Sequence, residues 1–243
     1  MRRQGQSCVV EKIGGMNMKI VAIVPMRHSS ERVAGKNYRL FAGEPLFHHV
    51  IRNLLACPEI HEVVIDTDSP TIKADAAAHF PEVRVLARPE HLREGSVPMN
   101  DVLLHTTTQV DADYYLQTHS TNPLLSQETI SRAVHTFLKS LDEHDSLFSV
   151  KRLQTRLWDS SGAPINHDPA KLIRTQDLPP VFEENSCVYI FSRENLEKRG
   201  NRIGEKPLLF EMDPIESLDI DEETDFKIAE LFFLNKDKLG VCK

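Results

Sequence analysis

Three stretches of this 243-residue chain carry side chains able to do chemistry on a charged small molecule. The first is Arg27-His28-Ser29-Ser30-Glu31-Arg32-Val33-Ala34-Gly35-Lys36-Asn37, which gathers three cations and two hydroxyls between an apolar run and a helix-like segment. At the carboxyl edge of a parallel sheet, backbone N–H groups and Arg or Lys side chains of such a loop can hold a polyphosphate. Taken alone, a stretch of this kind is more often a solvated surface loop. The second is Ser217-Leu218-Asp219-Ile220-Asp221, where strand alternation puts Asp219 and Asp221 on one side. Two carboxylates so placed can share a hard cation such as Mg²⁺. The competing reading has Asp221 capping the next helix, with Glu222 and Glu223 complementing its dipole and Asp219 exposed. The third is Tyr115-Leu116-Gln117 and its loop, placing Gln117, His119 and Asn122 at the end of a central strand. An amide there can donate to a carboxylate and accept from a hydroxyl, or it is simply loop polarity. His28 and His119 read as ordinary loop histidines before they read as bases.

The elements that must position these groups alternate. KIVAIVP is a β-branched apolar run that reads as a buried parallel strand ended by Pro25. Pro45 opens a helix with Leu46, Val50, Ile51, Leu54 and Leu55 at helical spacing, closed by Pro58. EVVIDTD is the next strand, and Ser69 caps a helix with Pro70 at its first position. VRVLA is a short strand, then a helix spans Val102 to Thr108, DYYLQT is a strand, and a helix spans Glu128 to Leu138. After SLFSVK the helical period disappears through a Pro-, Asp- and Asn-rich stretch, which makes 151–185 an excursion from the core. Leu157, Trp158 and Leu172 in it face either a second subunit or their own core. CVYIFS, a helix from Glu194 to Lys198, strands at LLFEM and ESLDI, and a helix from Glu222 to Leu234 complete the chain. The alternation predicts an α/β fold of three layers: a doubly wound, mainly parallel sheet with helices on both faces and ligands beyond its carboxyl edge.

Length and composition agree with a single globular domain over 18–243, with 1–17 an extension: 40% hydrophobic residues, 27% charged and only 10 Gly. The net charge of −7 argues against nucleic acid as the main partner. Cys8, Cys57, Cys187 and Cys242 show no C-x-x-C spacing, which suggests neither a zinc cluster nor a redox pair and predicts reduced thiols in the cytoplasm. No stretch approaches the ~20 apolar residues of a membrane helix, and Arg2 and Arg3 are not followed by a signal-type apolar run.

In this order, the motifs resemble the acylneuraminate cytidylyltransferases, the CMP-sialic acid synthetases, from about Ile20 to Leu234. That family opens with R-x-x-S-K-G-x-x-x-K-N, and Arg27, Ser30, Lys36 and Asn37 occupy matching places. AGEPLFHHVI, DTDSPTI, ARPEHL and LQ before a P-L turn follow further family segments, and ESLDIDEETDFKIAE follows its most specific block, S-x-D-I-D-x-x-x-D-F-x-x-A-E. Glu31 stands where the family has Lys, Arg32 where it has Gly, Gly95 where it has an acid, and THSTNPLL replaces PTSPLR. Gly35-Lys36 is also similar to the loop of enzymes that activate the eight-carbon sugar Kdo.

The resemblance implies a nucleotide-diphospho-sugar transferase type of fold with a protruding dimerisation excursion, a homodimeric active unit and Mg²⁺. It also implies transfer of CMP from CTP to a nine-carbon acidic keto sugar. Residue by residue, it implies that Arg27, Ser30, Lys36 and Asn37 hold the triphosphate, with Arg27 and Lys36 catalytic. Arg88 and Ser96 contact the nucleoside, and Gln117 the sugar. Asp219 and Asp221 bind the metal and are catalytic, and Arg174 reaches the sugar carboxylate in the partner subunit. The alternatives are a CMP-Kdo, pseudaminate or legionaminate synthetase, an Asp-x-Asp glycosyltransferase, and an inactive nucleotide-binding regulator.

Overall fold

A computed structural model describes residues 18–239; the extension at 1–17, Cys8 and Cys242 lie outside the described residues. The strands are β1 (Ile20–Met26), β2 (Leu40–Phe41), β3 (Glu44–Pro45), β4 (Glu62–Thr67), β5 (Arg84–Ala87), β6 (Tyr114–Gln117), β7 (Ser146–Leu153), β8 (Val181–Phe191) and β9 (Pro207–Glu211). The α-helices are α1 (Leu46–Ala56), α2 (Pro70–His79), α3 (Met99–Gln109), α4 (Gln127–Leu138), α5 (Arg193–Arg199) and α6 (Glu223–Leu239). Apart from the small β2–β3 hairpin, the strands form one sheet in the order β5-β4-β1-β6-β8-β7-β9. β5, β4, β1 and β6 run parallel, β8 is antiparallel to β6 and β7, and β9 is parallel to β7. From β1 the chain builds outward to β4 and β5, then returns to place β6 on the other side. The crevice between the carboxyl ends of β1 and β6 is therefore the topological switch point, where an open α/β sheet binds its ligand.

Alternation along β1 divides the core. Ile20, Ala22, Val24 and Met26 join the layer under α1, α2 and α4, while Val21 and Ile23 join the layer with Leu103 of α3 and Leu196 of α5. Ser69, Ser126 and Ser192 each accept the N–H three residues on, capping α2, α4 and α5; each cap contributes about 1 kcal/mol. A third apolar cluster matters most for the site. Val33 of the loop after β1, Phe41, Leu46, Leu124, Ile220 and Phe226 bury one another. That cluster fastens the basic loop to the segment leading into α6, although the two are remote in sequence.

Two expectations need correction. ESLDI is not a strand: Asp213 turns the chain by accepting Ile215 N at 2.8 Å and Ser217 N at 3.0 Å. The segment's one backbone–backbone bond to a neighbouring segment among the described residues then runs from Ile220 N to the Thr121 carbonyl at 2.9 Å. The excursion is also narrower than 151–185, because Lys151 to Leu153 pair with Val181 to Glu183 as a projecting ladder between β7 and β8. Outside that ladder, 154–180 runs without long elements, and Trp158, Ile165 and Leu172 are exposed.

Candidate active site

A cavity of about 480 Å³ opens at the β1–β6 crevice, lined by Arg27, Ser30, Lys36, Asn37, Arg88, His119, Thr121, Arg202, Asp219 and Asp221 among others. The basic loop and the acidic pair thus share one cleft. Ile220, fully buried in the third cluster, is the pivot: with it locked inward, Asp219 and Asp221 on either side both face the cavity even though no strand is present. Lys36 Nζ donates to the Ile220 carbonyl at 2.5 Å and lies 3.7 Å from Asp221 Oδ1. Arg32 bonds Asp221 directly and lies 3.7 Å from Glu222, so this departure from the family pattern puts a cation across the outer carboxylate.

Asp219 is the less satisfied of the two acids. Its Oδ1 is buried without a hydrogen-bond partner, and burial raises its pKa above the ordinary carboxylate range, against a hydrogen bond from Thr121 and with repulsion from Asp221. Burial likewise lowers the pKa of Lys36, opposed by Asp219 and Asp221. A desolvated, orphaned carboxylate oxygen beside a second carboxylate is an oxygen-only donor set that suits a hard divalent cation.

Asn37 braces the loop: its Nδ2 donates to the Arg27 carbonyl and its Oδ1 accepts from Ser120, both at 2.7 Å. His28 turns away from the cavity, bonding Ser69 Oγ at 2.8 Å and stacking on Tyr38. Arg88 is buried and its Nε donates to Asp66 at 2.5 Å, so it edges the cavity from a fixed position. Ser96 is exposed and outside the lining, between Gly95 and Val97, which are part of it. At Gly95 a Cβ would meet Arg27 Nη1 at 2.7 Å, so the absence of a side chain there lets the Arg27 guanidinium lie against the loop. Gln117 is fully buried beneath the floor and acts through others: its Oε1 accepts from Arg202 Nη1 at 2.6 Å and its Nε2 meets His119 Nε2 at 2.7 Å. Arg174 is exposed on the excursion, paired with Asp177 at 2.7 Å, and does not line this cavity.

Arg202, Thr121 and Ser186 were not singled out from the sequence. Arg202 sits in KRGNRIGEKP among other cations and has no periodicity to mark it. Ser186 lines the cavity at φ 58, a left-handed backbone unusual outside glycine and found preferentially at functional sites. Away from the cavity, His48, Asp75 and His79 place potential metal-ligand atoms within 4.8 Å of one another. Asp75 Oδ1 is already bonded to His48 Nε2 at 2.5 Å, and His79 Nδ1 bonds the Asp75 carbonyl at 3.0 Å, which makes the trio a staple between α1 and α2.

A family model described as cytidylyltransferase matches residues 21–238. The chain is 31% identical to the CMP-N,N'-diacetyllegionaminic acid synthase of Legionella pneumophila, across 91% of this chain and 100% of that protein. It is 29% identical to the N-acylneuraminate cytidylyltransferase A of Danio rerio, across 92% of this chain but only 54% of the other, so it spans about half of that relative. Among solved structures, a CMP:2-keto-3-deoxy-manno-octonic acid synthetase complexed with CTP superposes with a TM-score of 0.68 at 15% identity, covering 90% of this chain and 99% of that one. A 4-diphosphocytidyl-2C-methyl-D-erythritol synthase from Anaerococcus prevotii superposes at 0.67 and 13% identity, covering 90% and 97%. These two likenesses establish the shared fold. No helix among the described residues is long and apolar enough to cross a membrane.

Proposed function

The chain belongs to the cytidylyltransferase family, and from that premise we propose that it transfers CMP from CTP to the anomeric hydroxyl of a nine-carbon acidic keto sugar, releasing pyrophosphate. The observation that carries this reading is the meeting of Lys36 with Asp219 and Asp221 at one cavity. A nucleoside triphosphate needs cations around its phosphates and a divalent ion to neutralise the rest, and both kinds of group converge there. The Legionella relative favours a legionaminic-type acid as the particular acceptor over a sialic acid, within the same nine-carbon class.

The residues divide the work. Arg27, Ser30 and Lys36 take the phosphates, with Asn37 holding the loop closed behind them. Arg88 faces the nucleoside end from the cavity edge, Ser96 stands outside the lining beside it, and Gln117 orders the acceptor floor. Asp219 and Asp221 hold Mg²⁺, which when bound neutralises charge on the phosphates. The sugar hydroxyl attacks the α-phosphorus in line, forming its O–P bond as the bond to pyrophosphate breaks and losing its proton to solvent. Catalysis here is positioning and electrostatics, with no side-chain nucleophile. Two copies pair through the excursion, which covers its exposed apolar residues and leaves Arg174 for the neighbour. The protein works in the cytoplasm, where its buried free Cys57 and Cys187 stay reduced.

Pyrophosphate release with CTP and a panel of nine- and eight-carbon keto acids tests the reading. Nine-carbon acids support it; product from a sugar-nucleotide donor but not from CTP plus free sugar overturns it, as does CTP binding without turnover on any acid. Asp219→Ala and Asp221→Ala each lower turnover at least ~100-fold, roughly 3 kcal/mol of transition-state stabilisation; near-normal Mg²⁺-dependent rates in both remove the metal assignment.

A further inference from the structure

Two cations lining the cavity, Arg27 and Arg202, have no carboxylate within ion-pair distance among the described residues, whereas Lys36, Arg32 and Arg88 are paired. Arg27 belongs to the phosphate loop. Arg202 stands outside that loop. Its guanidinium lies over the Tyr189 ring, with Cζ 3.5 Å from the centroid, and Nη1 donates to Gln117 Oε1 at 2.6 Å. The loop that presents it is rigid. Asp145 accepts Glu205 N at 2.8 Å and Lys206 N at 3.1 Å, Ser146 Oγ accepts Gly204 N at 2.8 Å, and a Cβ on Gly204 would fall 2.1 Å from Asp145 Oδ1. Asn100 fixes the backbone of Arg202 itself, accepting its N–H at 3.2 Å. Glu184 acts on it from behind the Tyr189 hydroxyl, whose hydrogen bond it accepts, but no carboxylate among the described residues bonds the guanidinium itself. A half-buried fork held this firmly with donors to spare is preorganised for a planar anionic ligand.

Its place identifies which anion. Arg202 and Lys36 line the same cavity as His119, and Gln117 links Arg202 to that imidazole, so the free cation shares the cleft of the phosphate site. In a 2-keto sugar acid the anomeric carbon carries both the attacking hydroxyl and the carboxylate. Whatever reads that carboxylate must therefore stand within a few ångströms of the reacting phosphorus. Arg202 lines the cleft within one chain, and Arg174, exposed and paired with Asp177, does not. We propose that Arg202 grips the carboxylate of the acceptor, with Gln117 and Tyr189 setting the plane of its guanidinium, and so restricts the enzyme to acids. The inference rests on the acceptor reading above.

Steady-state kinetics with acid and CTP varied separately test it. Arg202→Met raises the KM of the acid about 30-fold or more, the loss expected for a charged hydrogen-bonded pair, while the KM of CTP stays within about two-fold. Arg202→Lys recovers part of the affinity, because a point charge lacks the fork. The wild type prefers the acid to its C1 carboxamide, and Arg202→Met loses that preference, which a merely structural role would not alter. Gln117→Glu gives a second route, pre-empting the cation with an internal carboxylate while Arg202 remains over Tyr189, and it also raises the KM of the acid. An unchanged acid KM in both variants, or an equal rise for CTP, overturns the inference. A wild type that uses none of the acids sinks the acceptor reading and this inference together, whereas an active wild type with an indifferent Arg202→Met sinks this one alone.

Discussion

Arg88 and Arg202 line the same cavity and are held there in opposite ways. Arg88 is buried against a fully buried acid: Asp66 takes Arg88 Nε on Oδ1 at 2.5 Å, Thr106 on Oδ2 at 3.0 Å, and Arg88 Nη2 on its carbonyl at 3.1 Å. Arg202 has an amide and an aromatic face and, among the described residues, no acid within ion-pair distance, Glu184 standing behind the Tyr189 hydroxyl. The acids divide likewise, since both oxygens of Asp66 are satisfied and Oδ1 of Asp219 is not. Burial is common to both regions; only the completeness of the pairing differs. A buried charge whose partners are all protein groups is part of the fold, and one left incomplete at a cavity is set for a ligand.

The largest effect expected from this difference falls on the paired side. Arg88→Met leaves Asp66 as an uncompensated buried charge and lowers stability by about 3–5 kcal/mol, measured by urea unfolding. Adding Asp66→Asn to that variant restores much of the loss, because the orphaned charge is gone. Should Arg88→Met unfold normally yet bind CTP poorly, the two arginines would not differ in kind.

On the incomplete side the sign reverses. Asp219→Asn removes a desolvated carboxylate whose Oδ1 has no partner, so without Mg²⁺ the variant melts a few degrees higher, about 1 kcal/mol for a chain of this length. Its turnover collapses all the same. A lower melting temperature in metal-free buffer would show that Lys36 and Thr121 already compensate the charge.

Much of this architecture was legible because its signals are local. The β-branched run of β1, the serine caps and the proline-bounded α1 each depend on neighbouring residues. The meeting of Lys36 with Asp221 was legible only through motif order, since what enforces it is burial of Ile220 with Val33 and Phe226. ESLDI misled because its alternation is that of a strand while Asp213 and Ser217 close a turn. Arg202 gave no sign, because its function comes from Gln117, Tyr189 and Asn100, all distant in sequence.

His119 gives the smallest expected effect and tests how far the incomplete region extends. Arg202 donates to Gln117 Oε1, which turns the Gln117 amide nitrogen toward His119 Nε2, 2.7 Å away. That ring nitrogen must therefore accept and carry no proton. Burial first, then Arg202 and Lys36, push the pKa of His119 down to about 3. The imidazole is thus neutral throughout the working range and already engaged, which makes it a poor general base. The kcat profiles of the wild type and His119→Gln should keep the same shape between about pH 5 and 8. A group whose folded pKa lies below its unfolded value of about 6.5 destabilises the fold as pH falls through that window toward 3, because the unfolded chain takes the proton first. Acid titration of stability should accordingly be shallower in His119→Gln than in the wild type. A kcat limb near 6.5 that vanishes in the variant would instead place His119 among the groups that move the acceptor's proton.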